Sequence, residues 1–257
     1  MNRSTGFITI ATVAALAGAS YADGVVNMTG AFPGYDGGNG GGTFTATSVS
    51  GYNGESFGPG STANSFQTFC LQENEFVNPF GSGTNYNTVI AGYTVLAGRS
   101  NYDPSTGAAA TASGIDELSS TTALLYSTFR SSNDFSFLGA AAPASTSALA
   151  GALQLAIWYS EGELSDGTGA TFDNYTAYTG NLTAVAMFNW AMGANNGSFY
   201  NVRVLQMFDR DSNGNSTGNA QDMLTIVPLP PAAYAGMGTL AGVIGMGYIR
   251  RRRLANA

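Results

Sequence analysis

The sequence has no histidine, no lysine and a single cysteine, Cys70, in 257 residues. Without histidine, the chain lacks the commonest general base, the Ser-His-Asp type of nucleophile activation and the most frequent transition-metal ligand. A single cysteine has no partner within the chain, so the sequence also excludes the disulfide framework that is common in exported proteins. All nine basic residues are therefore arginines.

Charged residues are scarce, at 10% of the chain, and they are unevenly distributed. Residues 23–227 contain four arginines against sixteen acidic residues, a net charge near −12, whereas the whole chain carries −7. Such a body repels nucleic acid, so we exclude nucleic-acid binding. The remaining composition, 44% hydrophobic with 35 glycines, is typical of a folded β-rich protein with many turns.

The first residues predict export. One arginine precedes an apolar run over residues 7–18, and Ser20 and Ala22 then occupy the −3 and −1 positions of a cleavage site before Asp23. This order of parts is that of a secretory signal peptide. We therefore assign residues 1–22 to a signal peptide that is cleaved after Ala22.

The last residues predict a membrane helix. Residues 232–249 form an eighteen-residue segment without a formal charge. This is about the minimum length that spans a bilayer. Gly238 and Gly242 form a G-x-x-x-G pair that permits close helix packing. A basic cluster follows at once and would hold this end in the cytoplasm; it consists of Arg250, Arg251, Arg252 and Arg253.

Together these C-terminal parts resemble the PEP-CTERM sorting signal of bacterial envelope proteins. The resemblance covers residues 227–254 and includes a Val-Pro-x-Pro motif before the apolar helix. It implies an exosortase-type sorting enzyme that cuts near the prolines after inner-membrane tethering, and a final place on the cell surface or in the extracellular matrix. Leu229 stands where the eponymous motif has Glu, which leaves the cognate enzyme open. The motif residues are Val227, Pro228 and Pro230.

Between these two ends, residues 23–226 predict one α+β domain that is rich in strands and has a central helical segment. The C-terminal sorting helix follows it within residues 227–257. Residues 23–65, with the alternating piece at 43–52, predict two or three strands joined by turns. Residues 65–72, 199–208 and 222–227 predict further strands, and residues 87–98 predict one more strand or a strand and a turn. Three helices are predicted in the middle of the chain, over 115–130, from Ser145 or Ser147 to about 162, and from Asn181 to about 193.

The middle predicted helix carries one long polar side chain, Gln154, among residues that are apolar on several faces. A buried amide without partners costs a few kcal/mol. Gln154 is therefore either hydrogen-bonded in the core or has a chemical role. The surrounding apolar residues are Leu149, Leu153, Leu155, Ile157 and Trp158.

The segment "FCL" at residues 69–71 and the segment "LQLAIWY" at 153–159 together resemble the thioester domains of bacterial surface proteins (thioester adhesins). The resemblance spans residues 60–227. It implies that the Cys70 thiol attacks the Gln154 carboxamide and expels ammonia, which leaves a thioester between a strand and a helix. The expected function is single-use covalent attachment to an amine, in adhesion or matrix cross-linking. This is neither enzymatic turnover nor a reaction that needs a cofactor.

A simpler interpretation of the cysteine stays open. A lone cysteine in a strand is often a small buried hydrophobe. The chain would then be a non-covalent structural protein of the envelope or biofilm matrix, in which Cys70 remains a buried thiol.

Two further groups of polar residues allow other hypotheses. Asp209, Asp211 and Asn213 have the alternating spacing of a calcium loop, but Ala220 occupies the twelfth position and excludes an EF-hand. A polar hairpin loop is the alternative. Two carboxylate pairs would suit glycoside cleavage, although neighbouring carboxylates are common at helix ends; the pairs are Asp116 with Glu117 and Glu161 with Glu163.

Overall fold

The computed structural model describes residues 24–30, 42–50, 64–72, 77, 83–95, 115–163 and 175–227. Within them an antiparallel, nearly closed sheet is built from both ends of the body, and the helices come from its middle. The predicted α+β, strand-rich class is confirmed. The predicted signal peptide and sorting helix lie outside these residues. In the described part of the chain, no helix has the length and apolar character needed to cross a membrane.

Nine strands are present among the described residues. They are β1 (Gly24–Thr29), β2 (Phe44–Ser50), β3 (Ser65–Thr68), β4 (Thr84–Ala91), β5 (Tyr93–Val95), β6 (Ile115–Glu117), β7 (Val202–Arg210), β8 (Ser216–Asn219) and β9 (Met223–Ile226). The main sheet has the order β3-β2-β1-β4-β7-β8, and β9 also pairs with β7. Strands β5 and β6 form a separate two-stranded ladder. The five predicted strand segments therefore all contain strands.

Strands β8 and β9 are consecutive segments along one edge of β7, with a short break between them. β8 pairs with the end of β7 and β9 with its beginning. At the break, the Met207 N–H donates to the Asp222 carboxylate at 3.1 Å, and the Ala220 N–H donates to the Met207 carbonyl at 2.9 Å. The Asp222 carboxylate thus replaces a missing backbone acceptor, so the ladder remains satisfied where the chain departs from strand geometry.

The other edge of β9 contacts the segment that follows β3. The Leu71 N–H donates to the Asp222 carbonyl at 3.0 Å, and the Leu224 N–H donates to the Phe69 carbonyl at 3.1 Å. These bonds place Cys70 opposite Met223 in an antiparallel bridge. The first and last parts of the sheet therefore meet at Cys70.

The helical segment consists of α1 (Ser120–Ser131), a 3-10 helix (Ser136–Ala141), α2 (Thr146–Ser160), α3 (Tyr175–Gly180) and α4 (Leu182–Ala194). Ser145 caps α2 by accepting from the Ala148 N–H at 3.1 Å, and Asn181 caps α4 by accepting from the Ala184 N–H at 3.0 Å. Both predicted helix starts are confirmed, since short polar side chains satisfy the first backbone donors.

The predicted start of the first helix is wrong. Residues 115–117 form β6 and pair with β5, and α1 begins only at Ser120. The Ser119 hydroxyl caps it by accepting from the Thr122 N–H at 3.0 Å. Pairing with β5 is a tertiary contact, which a local helical pattern does not reveal.

Candidate functional site

Cys70 has its two backbone hydrogen-bonding groups directed away from β9. In this type of antiparallel bridge, the flanking residues Phe69 and Leu71 bond the partner strand, so the N–H and C=O of the central residue face the opposite edge. On that edge the neighbour is β2, whose register ends with Phe44 opposite Thr68. The strand ladder therefore leaves both backbone groups of Cys70 to another partner.

Gln154 of α2 is that partner. The Cys70 N–H donates to Gln154 Oε1 at 3.1 Å, and Gln154 Nε2 donates to the Cys70 carbonyl at 2.8 Å. Gln154 is fully buried and Cys70 is 6% exposed. The amide occupies the place of a neighbouring strand residue and joins α2 to the edge of the sheet. A buried amide with both ends bonded avoids the desolvation cost that an unpaired one would carry.

This pairing constrains the position of the thiol relative to the Gln154 amide. The amide forms in-plane hydrogen bonds with the strand, whereas a strand side chain projects out of the plane of the strand hydrogen bonds. The Cys70 sulfur lies two bonds from the Cα atom between the two bonded backbone groups. The pairing therefore brings the residue that carries the thiol and the Gln154 amide together at the same point of the sheet edge.

Helix α1 fixes the strand that leads to Cys70. The Tyr126 hydroxyl and Arg130 Nη1 both donate to the Gln67 carbonyl, at 2.8 and 2.9 Å. The ring of Phe69 packs edge-on against Tyr126 and Phe129, at centroid distances of 6.3 and 5.1 Å. The sequence interpretation missed this support. The available signal was Arg130, one of few cations in the body, placed beside the aromatic residues of an apolar helix.

Buried polar groups also surround the other side of the cysteine segment. Gln221 Nε2 donates to the Gln72 carbonyl at 2.6 Å. Asp222 is 2% exposed and binds backbone groups of both β7 and the cysteine segment. Residues 70–72 are thus bonded by Gln154 on the side of α2 and by Gln221 near the break between β8 and β9.

Of the proposed calcium residues, Asp211 and Asn213 lie in a hairpin loop between β7 and β8, as the alternative interpretation predicted, whereas Asp209 belongs to β7 and pairs with Gly218. Asp211 accepts from the Asn213 and Asn215 backbone N–H groups at 2.9 and 2.8 Å, and from Asn215 Nδ2 at 3.1 Å. The hydrogen bond from the Asn215 backbone N–H is the largest cause that lowers the pKa of Asp211, and the hydrogen bond from the Asn215 side chain is the next largest. Gly214 has φ +89° and the Arg210 guanidinium lies over it. Among the residues described, no group of three or more Cys, Asp or Glu side chains is placed to hold a metal ion.

The carboxylates of the two proposed pairs lie in different environments. Glu161 accepts from the Ser119 hydroxyl at 2.7 Å and from the Ser119 N–H at 3.3 Å, so it binds the N-terminus of α1. Glu163 is 3% exposed. Asp116 and Glu117 belong to β6. Glu161 thus has a structural role that accounts for its position, because a carboxylate stabilises a helix N-terminus.

The sorting residues are almost entirely outside the described part of the chain. Val227 is its last residue, and its N–H donates to the Asn201 carbonyl at 3.0 Å. Ala22, Pro228, Pro230 and the basic cluster at 250–253 lie beyond it, so their roles stay predictions. No protein-family model matches the chain, and comparison with curated proteins and with solved structures gave no match.

Proposed function

We propose that Cys70 and Gln154 form an internal thioester and that the protein uses it once to attach covalently to an amine. The protein is then a secreted bacterial surface protein that an exosortase-type enzyme sorts after its C-terminal helix has tethered it. Its chemistry serves adhesion or matrix cross-linking, with an amine on a surface or matrix component as the target. The PEP-CTERM and thioester-domain resemblances supply this biological setting.

The observation that carries the proposal is the reciprocal pair of hydrogen bonds between Gln154 and the backbone of Cys70. An amide is a poor electrophile, so its reaction with a thiol needs a high effective concentration. The two bonds hold the Gln154 amide against the backbone of the residue that carries the only thiol of the chain. Burial of both residues limits access of water to the activated acyl group.

The same bonds suit formation of the thioester. The sulfur of Cys70 bonds to Gln154 Cδ, and negative charge develops on Oε1. The Cys70 N–H, at 3.1 Å from Oε1, stabilises this charge, as the backbone N–H of a serine-protease nucleophile does. The Cys70 carbonyl holds the amide nitrogen. The Cδ–Nε2 bond then breaks, and the thiol proton leaves with the nitrogen as ammonia.

Use of the thioester reverses the direction of the acyl transfer. A neutral amine bonds to Cδ, the Cδ–S bond breaks, and the proton lost by the amine returns to the Cys70 sulfur. The product is a stable amide between Gln154 and the target, together with the regenerated thiol. Because the chain contains no lysine, copies of it present no side-chain amine to one another.

A second candidate function follows from the same hydrogen bonds. Both ends of the Gln154 amide already have partners, so its burial is accounted for without a covalent bond. In this candidate, Gln154 only completes the edge of the sheet, and the protein is a non-covalent structural component of the envelope or matrix.

Intact-mass measurement separates the two candidates. The full chain, purified in detergent, should have a mass lower by one ammonia molecule than its processed sequence requires. Methylamine should convert this species to an adduct on Gln154, identified by peptide mapping. Cys70→Ala should show neither the mass deficit nor the adduct. An unmodified mass, with Gln154 unchanged and Cys70 open to alkylation after unfolding, would support the structural candidate instead.

A further inference from the structure

The indole of Trp158 is buried without an acceptor. Trp158 is 5% exposed, and its Nε1 has no hydrogen-bond partner among the described residues. A buried donor of this kind costs about 1–3 kcal/mol. A phenylalanine at the same position would fill most of the volume without this cost. The N–H therefore requires an explanation beyond packing.

Trp158 follows Gln154 by one turn on the same face of α2. Side chains of a helix lean towards its N-terminus, so residues at positions i and i+4 meet, and the later side chain covers the turn that carries the earlier one. The Trp158 side chain is thereby directed over the turn that bears Gln154. The Tyr159 ring, by contrast, stacks on Tyr178 at 4.1 Å, on another face of the helix.

The acyl oxygen of Gln154 has capacity for another donor. A carbonyl oxygen has two lone pairs, and the one hydrogen bond to Oε1 found among the described residues comes from the Cys70 N–H. Negative charge grows on this oxygen both when the thioester forms and when an amine opens it. A donor that is unpaired beside the amide, and that bonds the acyl oxygen once the thioester has formed, lowers the barrier to aminolysis because its hydrogen bond strengthens as negative charge grows on that oxygen.

We propose that the indole N–H of Trp158 is the second oxyanion donor of the Cys70–Gln154 site. The indole is a donor only, and it neither accepts a proton nor ionises near neutral pH. It therefore binds the acyl oxygen rather than the attacking lone pair of the amine. This inference rests on the proposed thioester, and it adds a residue that acts on the rate of reaction.

The test compares Trp158→Phe with Trp190→Phe in the full chain. Trp190, on α4, packs against Phe135 and Phe137 at centroid distances of 6.2 and 4.8 Å, so its replacement makes the same chemical change elsewhere. Methylamine adduct formation is followed over time by intact mass. We expect Trp158→Phe to react about 100-fold more slowly than the parent and Trp190→Phe to react at the parent rate. Thermal unfolding of Trp158→Phe should be unchanged or shifted upward.

A parent-like rate in Trp158→Phe overturns the role of Trp158 and leaves the thioester intact. Absence of the mass deficit in the parent overturns both proposals. Should Trp158→Phe not fold, indole N–H signals in NMR spectra give an independent answer, with Trp190→Phe assigning the two tryptophans. The Trp158 signal should lie further downfield in the parent than in Cys70→Ala; an identical position in both rejects the inference.

Discussion

Two buried glutamines bind the backbone of the same short segment, and Gln154 is the one that bonds the residue carrying the thiol. Gln154 is 0% and Gln221 is 1% exposed. Gln154 bonds both backbone groups of Cys70, whereas Gln221 donates to the carbonyl of Gln72 at 2.6 Å. The amides are chemically the same. The comparison shows that the residues they bond distinguish them, since Gln154 bonds the residue that carries the thiol and Gln221 bonds another glutamine.

The two glutamines also come from different structural elements. Gln154 projects from the middle of α2, which is buried from Leu149 to Trp158 apart from the half-buried Leu155. Gln221 lies in the break between β8 and β9. A helix in a packed core is held on several sides and presents its side chain in one position. Such rigidity favours a reactive geometry over a merely satisfied one.

The largest expected effect is on the covalent chemistry. Gln154→Ala should abolish the mass deficit and the methylamine adduct, because it removes the acyl carbon. Gln221→Ala should retain both, because its amide bonds the backbone of Gln72 and not that of Cys70. Intact mass of the folded variants measures this difference. Retention of the deficit in Gln154→Ala would mean that another residue supplies the acyl group.

A smaller effect is expected on stability, measured in a Cys70→Ala background that excludes any thioester. There, Gln154→Leu should lower the free energy of unfolding by about 2–5 kcal/mol, since it removes the hydrogen bonds that Gln154 makes to two buried backbone groups of residue 70. Gln221→Leu should cost about 1–3 kcal/mol for the single carbonyl. Urea unfolding gives both values. Equal losses would show that the second hydrogen bond of Gln154 contributes little.

The smallest effect concerns an exposed side chain bound to backbone. Hydrogen bonds from Asn215 hold the pKa of Asp211 below its usual value of 3.8 in the folded state. The stability they confer is complete above that value and is lost as the pH falls through the lowered pKa. Unfolding temperatures between pH 6 and 2 should therefore fall slightly less in Asp211→Asn than in the parent. A larger pH dependence in the variant would contradict this assignment.

Local patterns predicted much of the fold. Short alternating or apolar pieces identified the strands that became β2, β7 and β9, and short polar side chains marked the starts of α2 and α4. The pattern over residues 115–130 misled because β6 owes its strand conformation to pairing with β5. The break at Ala220–Asp222 was also unpredictable, since it depends on a carboxylate that replaces a ladder acceptor at Met207.

For the site, the sequence by itself determined the chemical inventory: one thiol, no histidine, no lysine and one long polar residue in an apolar helix. It also determined that Gln154 would be buried, because the apolar residues around it occupy several faces of α2. Only the tertiary structure decided which backbone the amide bonds. That choice has three causes. The pairing of β2 with β3 stops at Thr68, β9 pairs with the other edge of the cysteine segment, and α2 packs where a neighbouring strand would otherwise lie. These are contacts between residues far apart in the chain, and the spacing of residues along the sequence does not predict them.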